Sequence, residues 1–164
     1  MKNFVFRNYN EQTMARAIGV GLPISFKLSV EVCNFVRHDK VKEAIAKLEK
    51  VAKLKMAVPF RRFDFDLGHK KKIGPGRYPV KVSQELIKLM QNAEANAQFK
   101  GLNTSNLTIA HISAHKAGKS YHYGRQSRTV MKRTNVELVV EEKKSQEKTE
   151  KKQKTVTKTK EDKK

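Results

Sequence analysis

LTIAHISAHKAGKSYHYGRQSRTVMKRTNVELVVEE, residues 107–142, is the stretch on which the fold turns. Its two ends have the composition of β-strands. In NVELVVEE (135–142), Val136, Leu138 and Val140 alternate onto one face, and LTIAHISAH (107–115) alternates more weakly. About twenty residues lie between them, too many for a tight turn, and no helical period runs through the middle. An extended β-hairpin accounts for that length better than an open loop. From Ala95 to Val136 there is no carboxylate, while Lys100, Lys116, Lys119, Arg125, Arg128, Lys132 and Arg133 are basic and Tyr121, His122 and Tyr123 stand at the centre. Protein surfaces ordinarily mix charge signs, so a one-signed ribbon of this length predicts a surface built to lie against polyphosphate.

The rest of the composition agrees. Lys and Arg number 36 against 16 Asp and Glu, a formal net charge of +20 in 164 residues. Charge of that size opposes compaction unless a polyanion neutralises it, and the usual polyanions are nucleic acid or an anionic membrane. No run approaches the ~18 apolar residues of a spanning helix, and MKNFVFRNYNEQ (1–12) lacks a signal-peptide core. The single cysteine, Cys33, excludes an intramolecular disulfide and a Cys-rich zinc site, fits a reducing cytosol, and is expected to be a small buried residue on a helix. Length predicts one domain, residues 1–141, followed by a tail at 142–164. The tail holds ten Lys and five acids with one Val as its only apolar residue, so it is expected to be disordered. It carries five of the twenty net charges, and the other fifteen belong to the body.

Upstream of the hairpin, residues 13–24 read as an extended segment closed by Gly21 and Pro23. Ser25 is placed to cap a helix running to about His38, and Asp39 to cap a second to about Leu54. A third runs from about Val82 to Phe99, with Leu86, Met90, Ala93 and Ala97 on one face and Gly101 where a left-handed residue is wanted. Between the second and third, MAVPFRRFDFDLGHKKKIGPGRYPVK (56–81) has no secondary-structure period. Its Arg61, Arg62, Lys70, Lys71, Lys72, Arg77 and Lys81 oppose only Asp64 and Asp66, and Phe60, Phe63, Phe65 and Tyr78 lie among the charges. Arginine forks bind phosphate in bidentate fashion and aromatic faces stack on unpaired bases, so this loop predicts a binding element.

Enzyme-like strings fail on spacing. AGKS (117–120) ends like a phosphate-binding loop, but position 113 is Ser where that motif needs Gly, and no strand–turn–helix pattern surrounds it. His111 and His115 on a strand stand about 13 Å apart and cannot share an ion. Gly74-Pro75-Gly76 lacks the spacing of a dinucleotide fingerprint. No catalytic triad or carboxylate pair stands out, and the acidic residues are expected to be solvated or paired with lysines.

ARAIGVGLPIS (15–25), VPFRRF (58–63), GPGRYPVK (74–81), NAEANAQFKGL (92–102) and IAHISAHK (109–116) together resemble the universal large-subunit ribosomal protein twenty-two family in its archaeal and eukaryotic branch. The matching strings spread over most of residues 9–141. The resemblance implies an α+β fold of three helices on a small antiparallel sheet, a long projecting β-hairpin at about 112–134, no enzymatic activity and no cofactor or metal. It implies a cytoplasmic protein of the large ribosomal subunit that binds ribosomal RNA, neighbours other ribosomal proteins, and lines the nascent-peptide exit tunnel with its hairpin tip. Membrane insertion and small-molecule substrates are not expected. Two departures are visible: Phe26 stands where family members commonly have proline, and the tip YHYGRQSR (121–128) contains no proline.

The expected RNA-binding residues are Arg61, Arg62, His69, Lys70, Lys71, Lys72, Arg77, Tyr78, Lys81, His115, Lys116, Lys119, Arg125, Arg128, Lys132 and Arg133, with Tyr121, His122 and Tyr123 facing the tunnel. A different class of function, a free-standing basic nucleic-acid-binding protein or RNA chaperone, would have the same charge. A DNA reader, however, would need a recognition helix with basic and amide residues on one face. The third helix instead spreads Lys88, Gln91, Asn92 and Gln98 around its axis.

Overall fold

The computed structural model describes residues 4–118 and 120–143. Lys119 and residues 144–164, nearly all of the tail expected to be disordered, lie outside the described residues; Glu142, placed at the start of that tail, is instead the last residue of the final strand. The elements run β1 (Met14–Leu22), α1 (Phe26–Val36), α2 (Val41–Ala52), β2 (Val58–Pro59), β3 (His69–Lys70), β4 (Gly74–Arg77), α3 (Val80–Phe99), β5 (Leu107–Lys116) and β6 (Thr134–Glu142). This is the expected α+β arrangement: three helices and small antiparallel sheets.

The main sheet has the order β1-β6-β5, antiparallel throughout. β6 is central because it is the most apolar strand. Val136, Leu138 and Val140 face the helices, and Val139 on the opposite face is also buried. That second face is closed by the N-terminal segment, whose Val5 and Phe6 amides donate to Glu137 at 2.9 and 3.1 Å. α1 packs on β5, and α3 packs on β1 and α2. Leu86, Met90, Ala93 and Ala97 of α3 meet Val32, Val36, Leu48, Ile109 and Ile112 in one core. Both sheet edges are guarded, which blunts unwanted strand pairing. The Ile109 amide donates to the Asp39 carbonyl at 2.9 Å on one side, and the Asn96 side chain donates to the Arg16 carbonyl at 3.0 Å on the other.

α3 ends as expected. Gly101 has φ +76°, the Leu102 amide donates to the Ala97 carbonyl and the Gly101 amide to the Gln98 carbonyl, which is the two-bond left-handed closure of a helix. Ser25 occupies the N-cap position of α1, although its hydroxyl caps nothing. Asp39 does not cap α2. The N-cap is Lys40, and the Asp39 carboxylate pairs with Lys47 at 2.8 Å. The start shifts because Lys40 is held in an isolated β-bridge to Thr108, so the chain cannot turn helical until Val41.

Candidate nucleic-acid interface

The segment from Met56 to Lys81 has no sequence period, yet it folds into a second sheet, order β2-β4-β3. The pairs are short: Val58 opposite Arg77, Pro59 opposite Gly76, His69 opposite Pro75 and Lys70 opposite Gly74. Phe60 anchors it in the core, its amide donating to the Pro75 carbonyl at 2.9 Å. This framework turns the charges outward. Arg61, Arg62, His69, Lys71, Lys72, Arg77, Tyr78 and Lys81 are all exposed. Lys70 is half-buried, with its ammonium 5.7 Å from the centre of the Tyr78 ring.

In the hairpin, β5 and β6 pair from Leu107 opposite Glu142 to Lys116 opposite Thr134. Beyond them the two arms are joined by single backbone bonds: Ala117 to Arg133, Met131 to Ser120 and His122 to Thr129. Gly124, at φ +65°, opens the turn Gly124–Gln126 at the end. His115, Lys116, Arg125, Arg128, Lys132 and Arg133 are exposed. Tyr121 and Tyr123 are 61% and 88% exposed, whereas His122 between them is half-buried.

Phe26 links the two basic elements. Its ring meets Phe63 edge-on at 6.1 Å, and the Lys116 ammonium lies 5.6 Å from its centre. Phe26 is therefore the contact between the base of the hairpin and the Arg61–Phe63 corner. Lys100, by contrast, is not part of the free ribbon. Its ammonium donates to the Tyr9 hydroxyl at 2.6 Å and to the Glu11 and Met14 carbonyls.

Two buried acids carry no sequence signal. The acids were expected to be solvated or lysine-paired, and Lys27–Asp64, Lys47–Asp39 and Lys88–Glu85 are such pairs. Glu31 and Glu137 are not: each is 2% exposed and accepts hydrogen bonds from consecutive backbone amides of a distant segment. A glutamate on an amphipathic helix or strand looks the same whether water or a loop's amides surround it. Only the fold brings positions 31 and 61–63 together.

His111, Ser113 and His115 lie on one face of β5, the Ser113 hydroxyl 3.1 Å from His111 Nε2 and 2.9 Å from His115 Nε2, so the two rings lean together and their nitrogens are far closer than the spacing of ~13 Å expected along a strand. The Phe6 ring stacks on His111 at 5.1 Å. Burial holds the His111 pKa below the usual histidine range, partly offset by Glu137. Among the described residues no group of three or more His, Cys, Asp or Glu could hold a metal ion, and no helix is long and apolar enough to cross a membrane.

Comparison with known proteins places this geometry. Residues 17–141 match the family model described as ribosomal protein L22p/L17e. The chain is 38% identical over 147 residues to the large ribosomal subunit protein uL22 of Archaeoglobus fulgidus, covering 85% of this chain and 95% of that protein. It is 41% identical over 138 residues to the protein of the same name from Methanoregula boonei, covering 79% and 90%. It is 45% identical over 101 residues to that of Thermofilum pendens, covering 61% and 67%. The chain therefore belongs to the ribosomal protein L22p/L17e family, a family of structural ribosomal proteins and not of enzymes.

Proposed function

We propose that this protein is a structural constituent of the large ribosomal subunit in the cytoplasm, binding large-subunit ribosomal RNA and neighbouring ribosomal proteins, with the hairpin tip forming part of the nascent-peptide exit tunnel. The observation that carries the reading is the carboxylate-free outer part of the hairpin, residues 112–134, with exposed Arg125, Arg128, Lys132 and Arg133 and two open tyrosine rings. Support comes from the relatives, which are large ribosomal subunit proteins by name. Phosphate contacts fall to Arg61, Arg62, Lys70, Lys71, Lys72, Arg77, Lys81, Lys116, Arg125, Arg128, Lys132 and Arg133, and Lys119 joins them on its sequence position alone. His69, Tyr78 and His115 suit stacking or hydrogen bonding to nucleotides.

Two measurements test this. In high salt the protein should sediment with the large subunit, whereas a free-standing RNA chaperone would be stripped off. A photo-cross-linker at Tyr123 should reach the nascent peptide during translation. Absence of that cross-link, together with unchanged nascent-chain stalling after deletion of Gly118–Arg128, would remove the tunnel role.

A further inference from the structure

We propose that Glu31 is a positioning residue for RNA recognition, its buried carboxylate holding the Arg61–Phe63 backbone so that Arg61 and Arg62 form a preformed fork for phosphodiester groups. The inference rests on the reading that these arginines contact RNA phosphate.

The geometry is that of an anion in a ring of amides. Glu31 Oε1 accepts from the Arg62 and Phe63 amides, both at 2.8 Å, and Oε2 accepts from the Arg61 amide at 3.2 Å. Among the described residues no lysine or arginine pairs with this carboxylate. A buried charge without compensation would be costly, so the three amides are its compensation. Three successive N–H groups can converge on one anion only if the backbone curls around it, and that curl turns the side chains outward.

The ends of the curl are pinned. Phe60 is buried on one side, and Phe63 packs on Phe26 on the other. Asp64, in the left-handed region at φ +54°, pairs with Lys27 at 3.4 Å. The two residues between the phenylalanines are both exposed arginines, and the Arg62 guanidinium lies 5.6 Å from the Phe63 ring centre. A fork held this way loses less side-chain and loop freedom when phosphate arrives. Glu31 thus repels phosphate by its charge yet favours binding through the backbone it orders, because the charge is buried and consumed by amides.

The test is a double-mutant cycle on the full chain with deproteinised large-subunit ribosomal RNA as the probe, affinity being measured across a salt series. Arg61→Ala/Arg62→Ala should lower the log–log salt slope by about 1.4–1.8, the sum for two phosphate contacts. Glu31→Gln keeps the shape but turns a donor toward the Arg61 amide. Alone it should weaken binding roughly three- to tenfold, the scale of re-ordering one or two long side chains. Combined with the arginine changes it should add no further loss. Amide exchange in free Glu31→Gln should accelerate at residues 61–63 and not in α3.

Equal weakening by Glu31→Gln in both backgrounds, or none in either, would overturn the proposal while leaving the arginine contacts standing. An arginine double variant that binds like the original would instead overturn the phosphate reading itself, and the proposal with it. If Glu31→Gln does not fold, Glu31→Asp, which keeps the charge but withdraws it by one methylene, should give the same non-additive cycle at smaller amplitude. An additive cycle there is equally fatal.

Discussion

Gly76 occupies the middle strand of the small sheet, where a Cβ would lie 3.1 Å from the Val58 carbonyl oxygen and 3.2 Å from Ile73 Cδ1. The oxygen is backbone and cannot swing away, so Gly76→Ala should cost about 1–2 kcal/mol in urea unfolding. An unchanged midpoint would show that β2 and β4 can separate freely. Cys33 is buried in α1, and burial pushes its thiol pKa up to about 12. The thiolate is the reactive form, so an alkylating reagent at pH 8 should modify Cys33 only after denaturant is added. His111 supplies a pH dependence. Its folded pKa lies below the ordinary 6.5, so the unfolded chain binds its proton more readily. Its contribution to stability is therefore complete above about pH 6.5 and is lost as pH falls toward the folded pKa. Melting curves should drop over that window, and His111→Gln should flatten the drop.

The hairpin is uneven along its length. Between Leu107–Lys116 and Thr134–Glu142 the ladder is packed and broken only by one irregularity at Ile109–His111, but from Ala117 outward the described residues show only three cross-arm backbone bonds, in a stretch that is mostly exposed. In the free protein, amides of residues 121–130 should exchange far faster than those of β5 and β6. Strong protection at the tip without RNA would mean that it is ordered on its own account. The small sheet holds its lysines closer to paired backbone: Lys70 lies opposite Gly74, and Lys71 and Lys72 sit in the turn that the Ile73 amide closes onto the Lys70 carbonyl at 3.3 Å. Replacing all three with Ala should lower the RNA-binding salt slope by about 2–2.7 if each meets a phosphate. An unchanged slope would leave them as solvated lysines.

At the scale of the whole molecule, a formal charge of +20 works against the fold that presents it. Among the described residues only three acid–lysine pairs offset it, and Glu31 and Glu137 are spent on backbone amides. Added monovalent salt should therefore raise the melting temperature of the free protein by screening repulsion while weakening its grip on RNA. A melting temperature that falls between low salt and moderate salt would show that local ion pairs, and not net repulsion, dominate its electrostatics.

Periodicity was enough for the longer elements, and charge for a polyanionic partner. The α3 face at Leu86, Met90, Ala93 and Ala97, the left-handed Gly101, the strands flanking the hairpin and the carboxylate-free ribbon are all local properties, because each depends on neighbours within a few residues. The small sheet escaped that reading because strands of two to four residues, spaced by Gly and Pro, have no period to detect. The delayed start of α2 depends on a β-bridge from Lys40 to Thr108. The burial of Glu31 and Glu137 depends on amides 30 and 132 residues away. Phe26 gains its place only when Phe63 and Lys116 converge on it. The chain's local chemistry thus determined the sign of the surface and the class of partner it suits. The tertiary structure decided which charges are free to bind it, because compensation of a buried charge is set by whatever the fold brings within hydrogen-bond reach.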